Sequence, residues 1–128
     1  MHSPRIVAIY AAILAVVFVG LTINVIRGRY RARASLGDGG DAGLQQAIRA
    51  HGNFAEFVPF ALVILTLAEL NGSPAWSIHA LGCVLVLARL SHAWGITGGK
   101  DRLRFRQFGV IATFLVLLGG AVHAVIGG

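Results

Sequence analysis

The chain has 128 residues, of which 56% are hydrophobic and only 12% are charged. A soluble domain of this size exposes much surface relative to its volume and needs more charged residues to cover it, so the composition indicates a single-domain membrane protein. The isoelectric point is near 11.1. However, eight of the eleven Lys and Arg residues lie in two short segments between apolar runs, which is a pattern of membrane topology and argues against nucleic acid as a partner.

Four apolar runs are long enough to cross a hydrocarbon core, which takes about 20 residues. They cover residues 5–26, 50–70, 75–96 and 107–126. The first is followed by the basic stretch Arg27-Gly-Arg29-Tyr-Arg31-Ala-Arg33 and then by a glycine-rich stretch that ends a helix readily. The sequence therefore predicts an all-α membrane protein, a four-transmembrane-helix bundle that occupies residues 1–128 as one domain.

The second helix is expected to begin near Leu44, before the membrane, and to end at the uncharged turn Asn71-Gly-Ser-Pro74. A second basic stretch, from Lys100 to Arg106, separates the third and fourth spans. Because basic residues concentrate in cytoplasmic loops, both basic stretches are predicted to lie in the cytoplasm and both termini on the opposite side. Trp76 and Trp94 lie near opposite ends of the third span, as interfacial anchors do.

Several polar residues fall inside these spans, where an ionisable group usually faces protein or water. Arg49, Asn53 and Glu56 lie at positions i, i+4 and i+7, which places them on one face of the second helix. Arg89 and His92 lie one turn apart on the third helix, and Glu56 and Arg89 are expected at comparable depth, as partners. The residue types favour a pocket for a polar ligand with more negative than positive charge.

Structural interpretations of the same residues stay open at this point. Glu56 with Arg89 is equally consistent with an ion pair that only fixes helix packing. The four arginines of the first basic stretch fit topology signals and contacts with lipid headgroups. Glu69 and His79 are expected to be solvated near the membrane surface, and Cys83 to be a small buried hydrophobic residue. No Cys/His cluster has the spacing of a metal site.

The stretch Arg49-Ala-His51-Gly-Asn53-Phe-Ala-Glu56-Phe-Val-Pro59-Phe60 resembles the second-helix signature of the MAPEG family, the membrane-associated proteins of eicosanoid and glutathione metabolism. Arg89-Leu-Ser-His92 is similar to the Arg-x-x-His of the family's third helix, and Arg27-Gly-Arg29 fits the end of its first. The resemblance covers essentially the whole chain and is greatest to the small bacterial members, which places the protein in a bacterial inner membrane.

The resemblance implies a homotrimer that binds glutathione, as cosubstrate, between neighbouring subunits near the cytoplasmic face. The implied glutathione-binding residues divide by the part of the ligand they meet. Arg27 and Arg49 clamp its carboxylates, Glu56 takes its ammonium, Asn53 bonds its peptide groups, and Arg89 and His92 belong to the same pocket. An arginine at the start of the fourth helix, Arg106 by first choice and Arg104 by second, stabilises the thiolate.

The implied activity is that of a membrane transferase or peroxidase, in which the thiolate attacks a lipophilic electrophile or hydroperoxide that arrives from the membrane lipid. Ile96 stands one turn after His92, where many active members have tyrosine. This departure favours an alternative, a non-catalytic glutathione- or lipid-binding protein of the same family. A remote alternative is a small multidrug exporter, although such proteins carry their membrane glutamate on the first helix and the first span here has no acidic residue.

Overall fold

Four helices run through the part of the chain that the structure, a computed structural model, describes, namely residues 3–97 and 102–127. They are α1 (Arg5–Ala32), α2 (Ala42–Leu70), α3 (Ala75–Ile96) and α4 (Leu103–Ile126), and no strand occurs in these ranges. Each helix is long and apolar enough to cross a membrane. The prediction of an all-helical protein with four membrane-spanning helices is confirmed, whereas Lys100 of the second basic stretch lies outside the described residues.

Three of the helices are longer than their apolar runs. α2 begins at Ala42, close to the start expected near Leu44. α1 continues through the first basic stretch to Ala32, and α4 begins at Leu103, before the apolar run that starts at residue 107. Arginine is a good helix former, and backbone hydrogen bonds need no lipid, so both helices extend past the hydrocarbon. α2 stays helical through Pro59. Most of the described arginines of the two stretches therefore lie on helical turns, whereas Arg33 and Arg102 flank the helix ends.

The helices pack so that α2 and α3 each contact all the others, while α1 and α4 make no contact within the described residues. Leu14, Phe54, Leu65, Leu85 and Val116 form the centre of the apolar core. The end where α1 passes into α2 and α3 into α4 carries both arginine stretches and is called the basic end. The end that carries the turn at residues 71–74 is called the turn end.

Glu69, at the turn end, corrects a prediction. It is not solvated but buried, with 7% of its surface exposed. Its two carboxylate oxygens accept hydrogen bonds from the backbone N–H groups of Ile6 and Val7, at 2.8 Å each. These N–H groups belong to the first turn of α1 and have no partner within that helix. Glu69 thus caps α1 from α2, where the helix dipole also favours a negative charge.

Tyr10 joins α1 to α3 one helical turn further in. Its hydroxyl lies 2.8 Å from Nδ1 of His79 and 3.3 Å from Sγ of Cys83, and its ring packs directly on Gly82. His79 is exposed, as expected, but it is hydrogen-bonded to this tyrosine. Cys83 is exposed rather than buried. The small residue at position 82 allows the aromatic ring to approach the α3 backbone closely.

Two arginines brace the connection between α1 and α2. Arg29 donates to the carbonyl oxygen of Gly37 at 2.7 Å, and Arg31 forms a salt bridge with Asp41 at 3.1 Å. Asp41 also accepts from the backbone N–H of Leu44 at 2.8 Å and so caps α2. The Leu44 N–H, followed by the Arg31 guanidinium, holds the pKa of Asp41 below its ordinary value. Arginines interpreted from sequence as topology signals therefore also order this connection.

Candidate functional site

A cavity of about 480 Å³ opens between α2, α3 and α4 at the basic end. Each helix contributes one or two polar side chains to its lining: α2 contributes Arg49 and Asn53, α3 contributes His92, and α4 contributes Arg106 and Gln107. The apolar remainder of the lining is Ile96, Val110 and Ile111. The i, i+4 spacings of Arg49 with Asn53 and of His92 with Ile96 aim each pair into the same space. The structure thus brings together residues from three predicted clusters.

Arg89 lies beneath this cavity and is 2% exposed. One terminal nitrogen donates to Oδ1 of Asn53 at 2.6 Å, and the other donates to Oγ1 of Thr113 at 3.3 Å. Thr113 donates in turn to the carbonyl of Gly109 at 2.7 Å, so its lone pairs are free to accept from Arg89. The guanidinium also lies 5.8 Å from the ring centre of Phe54. Hydrogen bonds and an aromatic face thus stabilise this buried cation.

The expected pairing of Arg89 with Glu56 is wrong. Glu56 is exposed and makes no salt bridge within residues 3–97 and 102–127. The amide of Asn53, one turn nearer the basic end of α2, takes the guanidinium instead. Asparagine offers Oδ1 to a donor-only partner and keeps its NH₂ group for another acceptor. The resulting network leaves the charges of both Arg89 and Glu56 without a counterion inside the described part of the chain.

His92 is 3% exposed, and its Nδ1 has no hydrogen-bond partner among the described residues; the same is true of Nε of Arg89. Buried polar nitrogens are nearly always satisfied by protein, water or ligand. His92 lines the cavity, whereas Arg89 does not and is joined to it through Asn53. Nδ1 of His92 is therefore the buried polar atom of the lining at which a polar ligand or ordered water would complete the hydrogen bonding.

Gly109 permits the close crossing of α3 and α4 behind His92, and sequence reasoning did not single it out. A Cβ at this position would lie 2.6 Å from the carbonyl oxygen of Ala88 and 2.6 Å from Cβ of His92. Gly95 meets the backbone of Arg106 in the same way, nearer the basic end. The two glycines set how closely the wall carrying Arg106 approaches the wall carrying His92. The feature of the sequence that could have identified Gly109 is a single glycine within an apolar span.

Arg106 and Arg104 lie on different faces of α4. Residues two positions apart on an α-helix are separated by about 200°. Arg106 lines the cavity, whereas Arg104 lines a separate groove on the other side of the α3–α4 pair, together with Trp94. Of the two arginines considered for the start of the fourth helix, only Arg106 is brought to Arg49, Asn53 and His92.

Arg27 and Glu56 are not gathered into the cavity of a single chain. Both are exposed, and neither is among the lining residues. Arg27 lies on α1, which makes no contact with α4 within the described residues. One chain therefore does not bring Arg27 to the cavity that Arg106 lines.

The lining residues determine which chemistry the cavity itself can supply. Arg49 and Arg106 face it, Arg89 lies beneath, and none of its eight lining residues is acidic, so it is suited to an anion. The lining contains no Ser, Thr, Cys or Lys. Cys83 is nine positions from His92 along α3, about 13 Å nearer the turn end, and does not reach the cavity. The cavity lining therefore offers no hydroxyl, thiol or lysine amine of its own.

Comparison with known proteins identifies a family of membrane proteins that matches most of the chain. The sequence model of the MAPEG family matches residues 7–126. The chain is also 40% identical over 112 residues to the inner membrane protein YecN of Escherichia coli strain K12, an alignment that spans 87% of this chain and 83% of the relative. The YecN of Escherichia coli O6:H1 matches with the same identity and coverage.

Proposed function

Because the chain belongs to the MAPEG family, we propose that it is a glutathione-dependent enzyme of the bacterial inner membrane that acts on lipophilic electrophiles or hydroperoxides. The observation that carries the proposal is the arginine-lined, acid-free cavity between α2, α3 and α4. Its volume of about 480 Å³ is within the usual range for small-molecule pockets, about 300–1,000 Å³. Glutathione carries two carboxylates against one ammonium and brings its own thiol.

Arg49 and Asn53 take the two kinds of acceptor that glutathione offers. The planar guanidinium of Arg49 matches a carboxylate with two parallel hydrogen bonds. Asn53 already gives its Oδ1 to Arg89, so its NH₂ group donates to a peptide carbonyl of the ligand. His92 and the buried Nε of Arg89 receive the remaining acceptors or an ordered water.

Arg106 stabilises the glutathione thiolate in this proposal. A cysteine thiol has a pKa of about 8.5 and is mostly protonated at neutral pH. Arg106 lies in the first turn of α4, so its guanidinium and the positive end of the helix dipole act on the same side of the cavity. The substrate enters from the bilayer. With an electrophilic carbon, the thiolate forms a carbon–sulfur bond while the leaving group departs with its bonding electron pair. With a hydroperoxide, the thiolate attacks the terminal oxygen and breaks the O–O bond, which gives glutathione sulfenic acid and an alcohol after protonation; a second glutathione then converts the sulfenic acid to the disulfide and water.

A homotrimer completes the site by supplying what one chain leaves outside it. The α1 helix of a neighbouring copy brings Arg27 to the second carboxylate, and Glu56 takes the ligand ammonium beside that interface. An exposed carboxylate within a membrane span is costly, by about 3 kcal/mol when it faces lipid near the bilayer centre, and an interface removes Glu56 from lipid. The basic end faces the cytoplasm in this arrangement, where arginine-rich loops concentrate.

One observation favours a second function, that of a non-catalytic glutathione-binding protein. Ile96 lines the cavity on the same face of α3 as His92. An aliphatic side chain there offers neither a proton nor a hydrogen bond to a reacting substrate. Glutathione binding without turnover across a broad panel of lipophilic electrophiles and hydroperoxides decides for this alternative.

The experiment that tests the proposal is calorimetric titration of the detergent-purified protein with glutathione. Saturable binding is expected for the wild type, with affinity lowered about tenfold or more in Arg49→Ala, since charge-assisted hydrogen bonds contribute about 1.5–3 kcal/mol. Arg33→Ala is the matched control, because it removes one exposed arginine from the same end of the bundle but not from the cavity. Absence of binding by well-folded wild type overturns the proposal.

A further inference from the structure

A second cavity lies on the outer surface of the α3–α4 pair, away from α2. It is a groove of about 720 Å³, lined by Leu87, Leu90, Ser91, Trp94, Arg104, Phe105 and Phe108. Its apolar residues are exposed, and Trp94 and Phe105 are 55% and 50% exposed. Ser91 donates to the carbonyl of Phe105 at 2.8 Å and ties the two walls together. The site proposed above does not use this groove.

Arg104 gives the groove one charged end. It is exposed, lies in the first turn of α4, and makes no hydrogen bond or ion pair within residues 3–97 and 102–127. None of the groove's lining residues is acidic. Because α3 has 22 residues, it is about 33 Å long, so its ends and Arg104 lie at the level of lipid headgroups. The leucines and Phe108 lie deeper, at the level of acyl chains.

Arg102 adds a second positive charge at the same end of the groove and disfavours the binding of a cation there. Its guanidinium lies 3.8 Å from the ring centre of Trp94, and it donates to the carbonyls of Trp94 and Thr97 at 2.7 Å and 3.2 Å. The face of an interfacial tryptophan is where a choline or ethanolamine cation otherwise stacks. With that face occupied by a guanidinium, the cationic group of a zwitterionic headgroup is repelled, whereas an anionic headgroup meets two positive charges and carries no cation to be repelled.

We propose that this groove is a selective binding site for an anionic phospholipid. Arg104 holds the headgroup phosphate, and one acyl chain lies along Leu87, Leu90 and Phe108. Guanidinium and phosphate form strong paired hydrogen bonds, and the exposed leucines and phenylalanines supply the apolar surface for the chain. Arg102 on Trp94 disfavours lipids whose headgroup carries a cation. The site is independent of the glutathione cavity, because Arg104 and Arg106 face opposite sides of α4.

Trp94 provides a local reporter, since the chain has only two tryptophans. Trp76→Phe leaves Trp94 alone, and the protein is reconstituted in phosphatidylcholine vesicles that contain a minor fraction of lipid with brominated acyl chains, which quench tryptophan fluorescence on contact. Brominated phosphatidylglycerol is expected to quench Trp94 with about fivefold preference over brominated phosphatidylcholine, as for one arginine at an anionic surface. Arg104→Gln abolishes the preference and Arg104→Lys keeps part of it.

Two controls separate this site from general attraction to a basic protein. Arg33→Gln removes the same charge from the other basic stretch and leaves the preference intact. Trp94→Phe leaves Trp76 at the turn end as the reporter, and no preference is expected there. Added inorganic phosphate does not reverse the quenching, because the acyl chain contributes to binding. Equal quenching by the two brominated lipids, or a preference that survives Arg104→Gln, overturns the proposal; reversal by phosphate identifies a phosphate site instead.

Discussion

Arg89 donates to Oδ1 of Asn53 at 2.6 Å, and this bond fixes which end of the Asn53 amide faces the cavity. Arginine has no acceptor, so the amide oxygen must turn toward it and the NH₂ group toward the cavity. A cation buried on α3 thereby determines that α2 offers a donor. The same bond joins α2, which contributes Arg49 and Asn53 to the cavity, to α3, which contributes His92.

Asn53→Asp separates folding from ligand binding. A carboxylate at this position forms a charge-assisted pair with Arg89, so thermal stability in detergent should be kept or increased. The donor to the ligand is lost and a negative charge is added, so glutathione affinity should fall about tenfold or more. Calorimetry and thermal unfolding on the same preparation measure both effects. Asn53→Ala is the comparison, because it loses both stability and affinity; normal glutathione binding by the Asn53→Asp variant contradicts the assignment.

Arg106→Ala should lower the fraction of bound glutathione present as thiolate, and with it the rate of conjugation, by about tenfold or more, since removing one electrostatic donor costs about 3 kcal/mol at comparable sites. The amount of thiolate is measured by its ultraviolet absorbance. The rate of conjugation is measured with an activated chloronitrobenzene as the substrate. Arg104→Ala is the matched control, since that side chain lies in the outer groove. If the Arg106 variant kept full thiolate and full rate, the proposed role would be wrong.

Gly109→Ala tests the close crossing behind His92. The added methyl would meet the Ala88 carbonyl oxygen and His92 Cβ at 2.6 Å, so the helices must separate. Overpacking of this kind costs about 1–3 kcal/mol and should appear as a lower unfolding temperature together with weaker glutathione binding. Gly20→Ala is the control: it lies in α1 with nothing within 4 Å, so the better helix propensity of alanine should leave the protein as stable or slightly more so. Equal behaviour of the two variants would contradict this packing role.

The contacts of the Asp41 carboxylate lead us to expect that the folded protein loses stability in acid. Its pKa is lowered in the folded protein by the Leu44 N–H and by Arg31. A carboxylate with a depressed folded pKa contributes stability above its unfolded pKa, and this contribution disappears as the pH falls through the folded value. The unfolding temperature of the wild type should therefore exceed that of Asp41→Ala at neutral pH, and the difference should shrink below the ordinary aspartate pKa of 3.8. A difference independent of pH would show that the carboxylate charge is not involved.

The helices could be predicted from sequence because apolar length is a local property. That Arg49 and Asn53 share one face of α2 could also be predicted, since it follows from the helical repeat alone. The partner of Arg89 could not be predicted, because it depends on the relative depth of α2 and α3. A shift of one turn along α2 replaces Glu56 by Asn53 as the residue opposite Arg89. No sequence pattern within either helix determines this register.

The choice between Arg104 and Arg106 required the rotation of α4. Both residues lie in the same basic stretch, and either is plausible from charge alone. Gly109 and Gly95 fix the face of α4 that packs on α3, and this rotation places Arg106 in the cavity. Thr113, which accepts from Arg89, was missed for a related reason: a single threonine in an apolar span is usually satisfied by its own helix backbone, as its bond to Gly109 also shows.

Glu69 connects positions 62 and 63 residues apart, and this has a consequence for the way the protein matures. The first turn of α1 keeps two unsatisfied N–H groups until the far end of α2 has been made and has come back alongside it. Asp41 and Arg31 close the same pair of helices at the opposite end. The first half of the chain is thus an antiparallel hairpin fastened at both ends by its own residues, so α1 and α2 can pair before the second half is synthesised. The contacts of Tyr10 and Asn53 with α3 form only afterwards.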